Sequence, residues 1–165
     1  MNLVFRPYTP ADADAVLRLN AANEPEVGPL DAASLGRLAG QSPFFPVAEG
    51  PAGVIGYLLA LGEGADYGSL NYGWFAARLR SYLYIDRVAF APEFRGVGAG
   101  REVYGRAEAF AASAGLLWLA CEVNLDPPNP ASLMFHDRLG FAEVGRQWAG
   151  GKQVSMRLRG VGGRT

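Results

Sequence analysis

The spacing of apolar positions changes several times along the chain, and each change marks an element. Leu3-Val4-Phe5-Arg6 is a short extended run stopped by Pro7. Residues 12–20 place Val16, Leu17 and Leu19 on one helical face, with Thr9 as the cap and Pro10 at the first helical position. A second short helix is predicted over 31–38. Residues 44–48 and 54–61 read as two strands of a hairpin turned at Gly50–Gly53. Residues 63–81 show no clean period. They are Gly-rich but hold Tyr67, Tyr72, Trp74 and Phe75, which predicts a packed loop with one helical turn within 74–79.

The second half is more regular. Residues 82–90 predict a strand. Residues 98–114 predict a helix with Val103, Ala107, Phe110, Ala111 and Ala114 on one stripe and Glu102 paired with Arg106. Gly115 closes it. Residues 116–123 are apolar on both faces, as in a central strand. A helix over 129–139 starts at Asn129-Pro130 and stops at Gly140. Strands 141–144 and 154–158 pair around Ala149-Gly150-Gly151. The order is β-α-α-β-β-β-α-β-α-β-β, a mixed α/β sheet. We read it as one domain over 1–159 followed by a flexible Gly-rich tail, 160–165.

Composition narrows the function. Half of the 165 residues are hydrophobic and 19% are charged, which suits a globular core. The net charge of −1 supplies no basic field for nucleic acid or an anionic membrane, so neither partner is expected. Cys121 is the only cysteine, which rules out an internal disulfide; it sits in an apolar run as an inert thiol. One histidine and one cysteine make no ligand cluster, so no metal is expected. The first residues lack a signal pattern and no apolar run approaches the ~20 residues of a membrane span. The expected location is cytoplasmic.

Chemistry concentrates in Arg95-Gly96-Val97-Gly98-Ala99-Gly100, between a predicted strand and a predicted helix. Glycines let the backbone turn with positive φ and approach a ligand closely. The first helical amides lack internal partners and lie at the positive end of the helix dipole, which favours a phosphate. Arg95 adds a charge-assisted contact. The same glycines would also serve a mere tight turn. A dinucleotide site is disfavoured because G-x-G-x-G is followed by Arg101, and five residues separate Phe90 from Gly96. No G-K-[ST] is present for a Walker loop.

This loop, after Val88-Ala89-Phe90 and Pro92, resembles the [Q/R]-x-x-G-x-[G/A] acetyl-CoA loop of the GCN5-related N-acetyltransferase (GNAT) superfamily. A second block, Asn129-Pro130-Ala131-Ser132-Leu133-Met134-Phe135-His136-Asp137-Arg138-Leu139-Gly140-Phe141, is similar to that family's N-x-x-[AS]-x-x-[LF]-[YH]-x-x-L-G-F segment. The resemblance runs from about Tyr82 to Phe141. It implies an α/β (α+β) fold with a mixed, mostly antiparallel central sheet, about four flanking helices, and a splay between the two central strands. It also implies acetyl-CoA as cosubstrate and acetyl transfer to a primary amine of a small molecule, an amino acid or a peptide N-terminus. A homodimer is compatible. The alternative from another class is a non-catalytic acyl-CoA-binding regulatory module.

By the same resemblance, main-chain groups of Val88, Ala89 and Phe90 would pair with the pantetheine arm. The amides of Arg95, Gly96, Val97, Gly98, Ala99 and Gly100, continuing to Arg101, would hold the pyrophosphate. Phe135 would face the coenzyme. Asn129 would bond the pantetheine or simply cap its helix. Near Val88 a strand N–H would stabilise the oxyanion.

Direct transfer needs a neutral amine, and an alkyl amine has a pKa of ~10.4 in water. A base is therefore useful. Glu122 is the only charged residue in its strand, and Cys121-Glu122-Val123 resembles the L-E-V of family members in which this Glu is a proposed base. It could equally be a structural carboxylate. Asp86, on the strand face shared by Tyr84 and Val88, is the rival base or else a salt-bridge partner. His136 stands where many relatives carry a Tyr acid; as an imidazolium it would protonate the leaving thiolate. Tyr104 is a distant alternative. Tyr67, Tyr72, Trp74 and Phe75 would wall the acceptor, and Glu24 or Asp66 would attract its cation.

Overall fold

A computed structural model describes residues 3–164. It contains strands β1 (Val4–Pro7), β2 (Pro46–Gly50), β3 (Gly53–Leu61), β4 (Tyr82–Phe90), β5 (Trp118–Asp126), β6 (Ala142–Ala149) and β7 (Lys152–Gly160). The α-helices are α1 (Ala13–Ala22), α2 (Ala32–Gln41), α3 (Leu70–Ala76), α4 (Ala99–Ser113) and α5 (Pro130–Arg138). The strands lie in the order β1-β2-β3-β4-β5-β7-β6. β1–β2, β2–β3, β5–β7 and β6–β7 pair antiparallel, while β4 and β5 pair parallel, with Tyr82, Leu83 and Tyr84 opposite Trp118, Leu119 and Ala120. This is the mixed, mostly antiparallel sheet expected, with five α-helices in place of about four. No helix among the described residues is long and apolar enough to cross a membrane.

The chain forms two compact units. The first runs to Leu61 and adds Ile85–Ala107. Its core holds Val16, Leu35, Val47, Tyr57 and Leu58, all essentially solvent-free. Thr9 and Asp12 initiate α1 through a 3-10 turn, Pro10–Asp12: the Thr9 N–H donates to the Asp12 carboxylate at 2.8 Å. Asp31 caps α2 by accepting the Ser34 N–H at 2.8 Å. Gly56 on β3 has a packing reason: a Cβ there would stand 2.1 Å from Cδ1 of the Phe90 ring. Only a glycine lets that ring lie flat on the β3 backbone. Gly56→Ala should therefore lower stability by about 1–3 kcal/mol, the usual cost of overpacking. A urea titration of the two proteins measures it; equal midpoints would mean that the ring moves aside without penalty.

The second unit is Gly62–Tyr84 with the chain from Glu108 onward. Phe75, Tyr82, Leu83, Tyr84, Leu119 and Met156 fill its core. The helical turn expected within 74–79 is a full helix starting earlier, α3, capped where Ser69 accepts the Tyr72 N–H at 3.3 Å. Its apolar side was hidden in the sequence because the anchoring residues are aromatic and Gly73 interrupts the pattern. β6 and β7 also run longer than expected and join at Gly150 and Gly151, both with positive φ (57° and 76°). On α4, Val103, Ala107 and Ala111 are buried as expected, but Phe110 is only partly buried and Ala114 is exposed.

Candidate active site

In the first unit the predicted coenzyme loop follows β4. Pro92–Phe94 forms a 3-10 turn, and the Arg95 N–H donates to the Pro92 carbonyl at 3.2 Å. That amide is already bonded within the turn, whereas the loop from Gly96 onward follows it into the helix. Gly96 and Gly98 adopt φ of +76° and +87°, a conformation that costs any other residue strain. The loop is exposed from Arg95 to Gly98. The helix then opens on Ala99, and the Glu102 N–H closes its first turn on the Gly98 carbonyl at 3.0 Å. The amides of Ala99, Gly100 and Arg101 precede any intrahelical acceptor and point out of the helix start. A phosphate there would meet both these donors and the helix dipole.

The end of β4 is held in place. Val88 is half-buried, and Ala89 and Phe90 are buried. The Ala91 N–H donates to Ile55 at 2.8 Å. The Phe90 carbonyl, expected to face the pantetheine, accepts from the Asn23 side-chain amide at 3.2 Å. The Oδ1 of Asn23 in turn accepts from Arg95 at 2.8 Å. Asn23 carries no sequence signal of this role: nothing in the local pattern around it points to contact with residues so far along the chain.

Asp86 is drawn into a buried ion pair. Its side chain is 4% exposed and pairs with Arg87 at 2.7 Å. The buried Arg87 guanidinium also donates to Asn20 Oδ1 at 3.0 Å and to the Gly28 carbonyl at 3.1 Å. Tyr57 donates its hydroxyl to the same Asn20 oxygen at 2.8 Å. Burial raises the Tyr57 hydroxyl above its ordinary range, so it stays protonated as that donor. The Asp86 carboxylate neutralises a buried cation that braces the chain after α1, which is the salt-bridge role.

In the second unit Glu122 sits on β5, partly buried, between buried Cys121 and buried Val123. The Tyr84 hydroxyl lies 2.9 and 2.7 Å from its two oxygens, so one phenolic proton is shared between both. Tyr84 itself is solvent-free and packs edge-on to Tyr72 at 5.4 Å and against Phe75 at 6.0 Å. A rigid aromatic donor thus aims the carboxylate. Tyr84 was visible in the sequence as a residue of the β4 strand, but its pairing with Glu122 spans 38 positions and depends on the parallel β4–β5 register.

The four aromatics expected to wall an acceptor do mostly structural work. Tyr72 and Phe75 are buried. Tyr72 also accepts the Ala65 N–H and donates to the Gly62 carbonyl. Trp74 covers Gly145, where a Cβ would lie 2.5 Å from its ring, and carries Arg78 over its face at 4.0 Å. Tyr67 packs its ring 5.9 Å from that of Tyr72.

On α5, Asn129 acts as the cap, accepting the Ser132 N–H at 3.3 Å. Phe135 is half-buried, with its ring edge-on to His136 at 5.2 Å. His136 is 7% exposed, and its Nδ1 lies 2.7 Å from the Ser132 carbonyl. A carbonyl has no proton to give, so Nδ1 carries it. Burial lowers the His136 pKa, partly offset by that hydrogen bond. The shift favours the neutral ring over the imidazolium. Because the folded pKa lies below the unfolded ~6.5, the contribution to stability is full above that value and is lost as pH falls from there toward the folded pKa. His136→Gln should flatten this stability loss on acidification, measured by denaturant midpoints between neutral and mildly acidic pH; parallel curves would contradict it.

A family model described as acetyltransferase (GNAT) family matches residues 6–141. The chain belongs to this acetyltransferase family. Three solved structures share its fold. Ard1 from Thermoplasma volcanium is 18% identical, with a TM-score of 0.80 over 98% of this chain and 99% of that one. Arabidopsis thaliana NAA60, in complex with a bisubstrate analogue, is 14% identical, with a TM-score of 0.78 over 99% and 100%. The Salmonella typhimurium protein yncA, solved with its cofactor acetyl-CoA, is 19% identical, with a TM-score of 0.70 over 100% and 97%. No curated protein sequence matches the chain. At these identities the likeness establishes the GNAT fold, and the chemistry must come from the residues.

Proposed function

We propose that this GNAT protein transfers the acetyl group of acetyl-CoA to a primary amine, on a small molecule, an amino acid or a peptide N-terminus, by direct attack in a ternary complex. The observation that carries the reading is the loop after β4: Gly96 and Gly98 in positive φ lead directly into the first amides of α4, which have no acceptor within the helix. That arrangement suits a diphosphate, and the family supplies the rest of the coenzyme. The complexes of NAA60 with a bisubstrate analogue and of yncA with acetyl-CoA support the reading by shared fold.

In this reading the amides of Gly96 to Arg101 take the pyrophosphate, and main-chain groups of Val88, Ala89 and Phe90 pair with the pantetheine. Asn129 keeps its helix capped, and the family resemblance assigns Phe135 to the coenzyme. Glu122 is the base. The amine nitrogen attacks the thioester carbonyl, and a strand N–H near Val88 stabilises the oxyanion. Glu122 takes the surplus proton of the nitrogen as the C–S bond breaks. The Tyr84 hydroxyl holds the carboxylate in one orientation, so the proton acceptor is preorganised. The leaving thiol has a pKa of ~8.5; its thiolate departs without an imidazolium and is protonated from solvent. Asp86 stays with Arg87.

The test is a screen of amines with acetyl-CoA, read by free-thiol release. Amine-dependent release is expected. Tight acetyl-CoA binding with no release for any amine would favour the non-catalytic acyl-CoA-binding module.

A further inference from the structure

We propose that Asn23 is a positioning residue for the coenzyme's diphosphate: it aims the Arg95 guanidinium while anchoring the last carbonyl of β4. The inference rests on reading residues 95–101 as the coenzyme loop.

Asn23 ends α1 with φ −108° and ψ 6°. Its side-chain NH2 donates to the Leu19 carbonyl at 2.8 Å and to the Phe90 carbonyl at 3.2 Å. Its Oδ1 accepts from Arg95 at 2.8 Å. The two carbonyls can only accept and the guanidinium can only donate, so the amide has one consistent orientation. Aspartate has no proton for the carbonyls, leucine has no polar atom, and serine is too short to span three partners. The position calls for a carboxamide.

The choice of partner matters for charge. Arg6, Arg87, Arg157 and Arg159 are each tied to a carboxylate. Arg95 is tied to a neutral oxygen instead. Its side chain is thereby oriented without its charge being cancelled, which is what recognition of an anion at an exposed loop requires. The same amide joins this guanidinium to the end of α1 and the end of β4. One side chain thus sets the loop's cation relative to the strand that leads into the loop.

The experiment is calorimetric titration of coenzyme A into the full-length wild type, Asn23→Ala, Asn23→Asp, Arg95→Ala and the Asn23→Ala/Arg95→Ala double variant, each checked for folding by thermal melting. Asn23→Ala should weaken binding about tenfold, as expected when a hydrogen bond to a charged group is lost. Asn23→Asp should weaken it at least as much, because a carboxylate cancels the Arg95 charge and faces two carbonyls. In the Arg95→Ala background, Asn23→Ala should add less than about twofold, the signature of two residues acting as one. Equal losses in both backgrounds would show a merely structural role and overturn the inference. Unchanged affinity in Asn23→Ala, or in the isosteric Asn23→Asp should the alanine variant not fold, overturns it as well. A wild type that does not bind coenzyme A would overturn both this and the underlying reading, so the two failures are distinguishable.

Discussion

Glu122→Gln is expected to lower amine-dependent thiol release about 10²- to 10⁴-fold, the usual worth of a positioned general base, with coenzyme A affinity within about twofold of wild type. The substitution keeps the shape of the side chain and leaves an amide oxygen to accept the Tyr84 hydroxyl, which now stands 2.7–2.9 Å from the carboxylate. What it removes is the ability to take a proton. Tyr84→Phe, which removes only the donor that aims the carboxylate, should cost about tenfold in kcat, in line with the loss of one hydrogen bond to a charged group. In the Glu122→Gln background it should cost almost nothing more. A Glu122→Gln enzyme that turns over at the wild-type rate would leave Glu122 as the structural acceptor of a buried phenol, and the base would have to be sought elsewhere.

The second large effect concerns the loop itself. Gly98→Val is expected to weaken coenzyme A binding about 5- to 150-fold, the range that corresponds to the ~1–3 kcal/mol cost of holding a non-glycine residue in the left-handed region. The space around Gly98 is open: a Cβ there meets nothing within 4 Å. A Cβ is therefore not crowded, and the effect comes from the φ of +87° that a β-branched residue resists. Relaxing that strain turns the peptide and re-aims the amides at the start of α4. Gly105→Ala is the control on the same helix. Its surroundings are equally open and its φ is not positive, so it should gain about 0.5–1 kcal/mol of stability without altering coenzyme affinity. Equal binding by the Gly98→Val and Gly105→Ala variants would mean that the loop tolerates the wrong backbone and that its glycines serve only the turn.

Local signals were legible wherever the chain depends on neighbours close in sequence. β4 spans residues 82–90 in both the sequence reading and the structure. α4 and α5 begin and end within a residue or two of their expected limits because glycine and the Asn-Pro pair act on their own backbone. The positive φ at Gly96, Gly98, Gly115 and Gly140 follows from the same cause. α3, like the longer β6 and β7, departed from its local signal: its hold on the sheet comes from Trp74 against Gly145 and from Asn71 accepting the Gln147 side chain at 2.7 Å, partners more than seventy residues away.

The amino-acid sequence alone determined that this chain is a mixed α/β protein of the GNAT family and where its glycine turn into α4 lies, since glycine conformation, helix starts and apolar period are properties of short segments. Only the tertiary structure decided which charged groups stand together. Asp86 and Glu122 look alike as lone carboxylates on strands. Folding gives Asp86 a buried arginine as its neighbour and Glu122 a tyrosine hydroxyl. It also buries His136 as a neutral ring and ties Arg95 to the uncharged Asn23. A side chain's protonation and aim depend on the dielectric and partners that the fold brings to it, and those partners are set by strand register and packing across the whole chain.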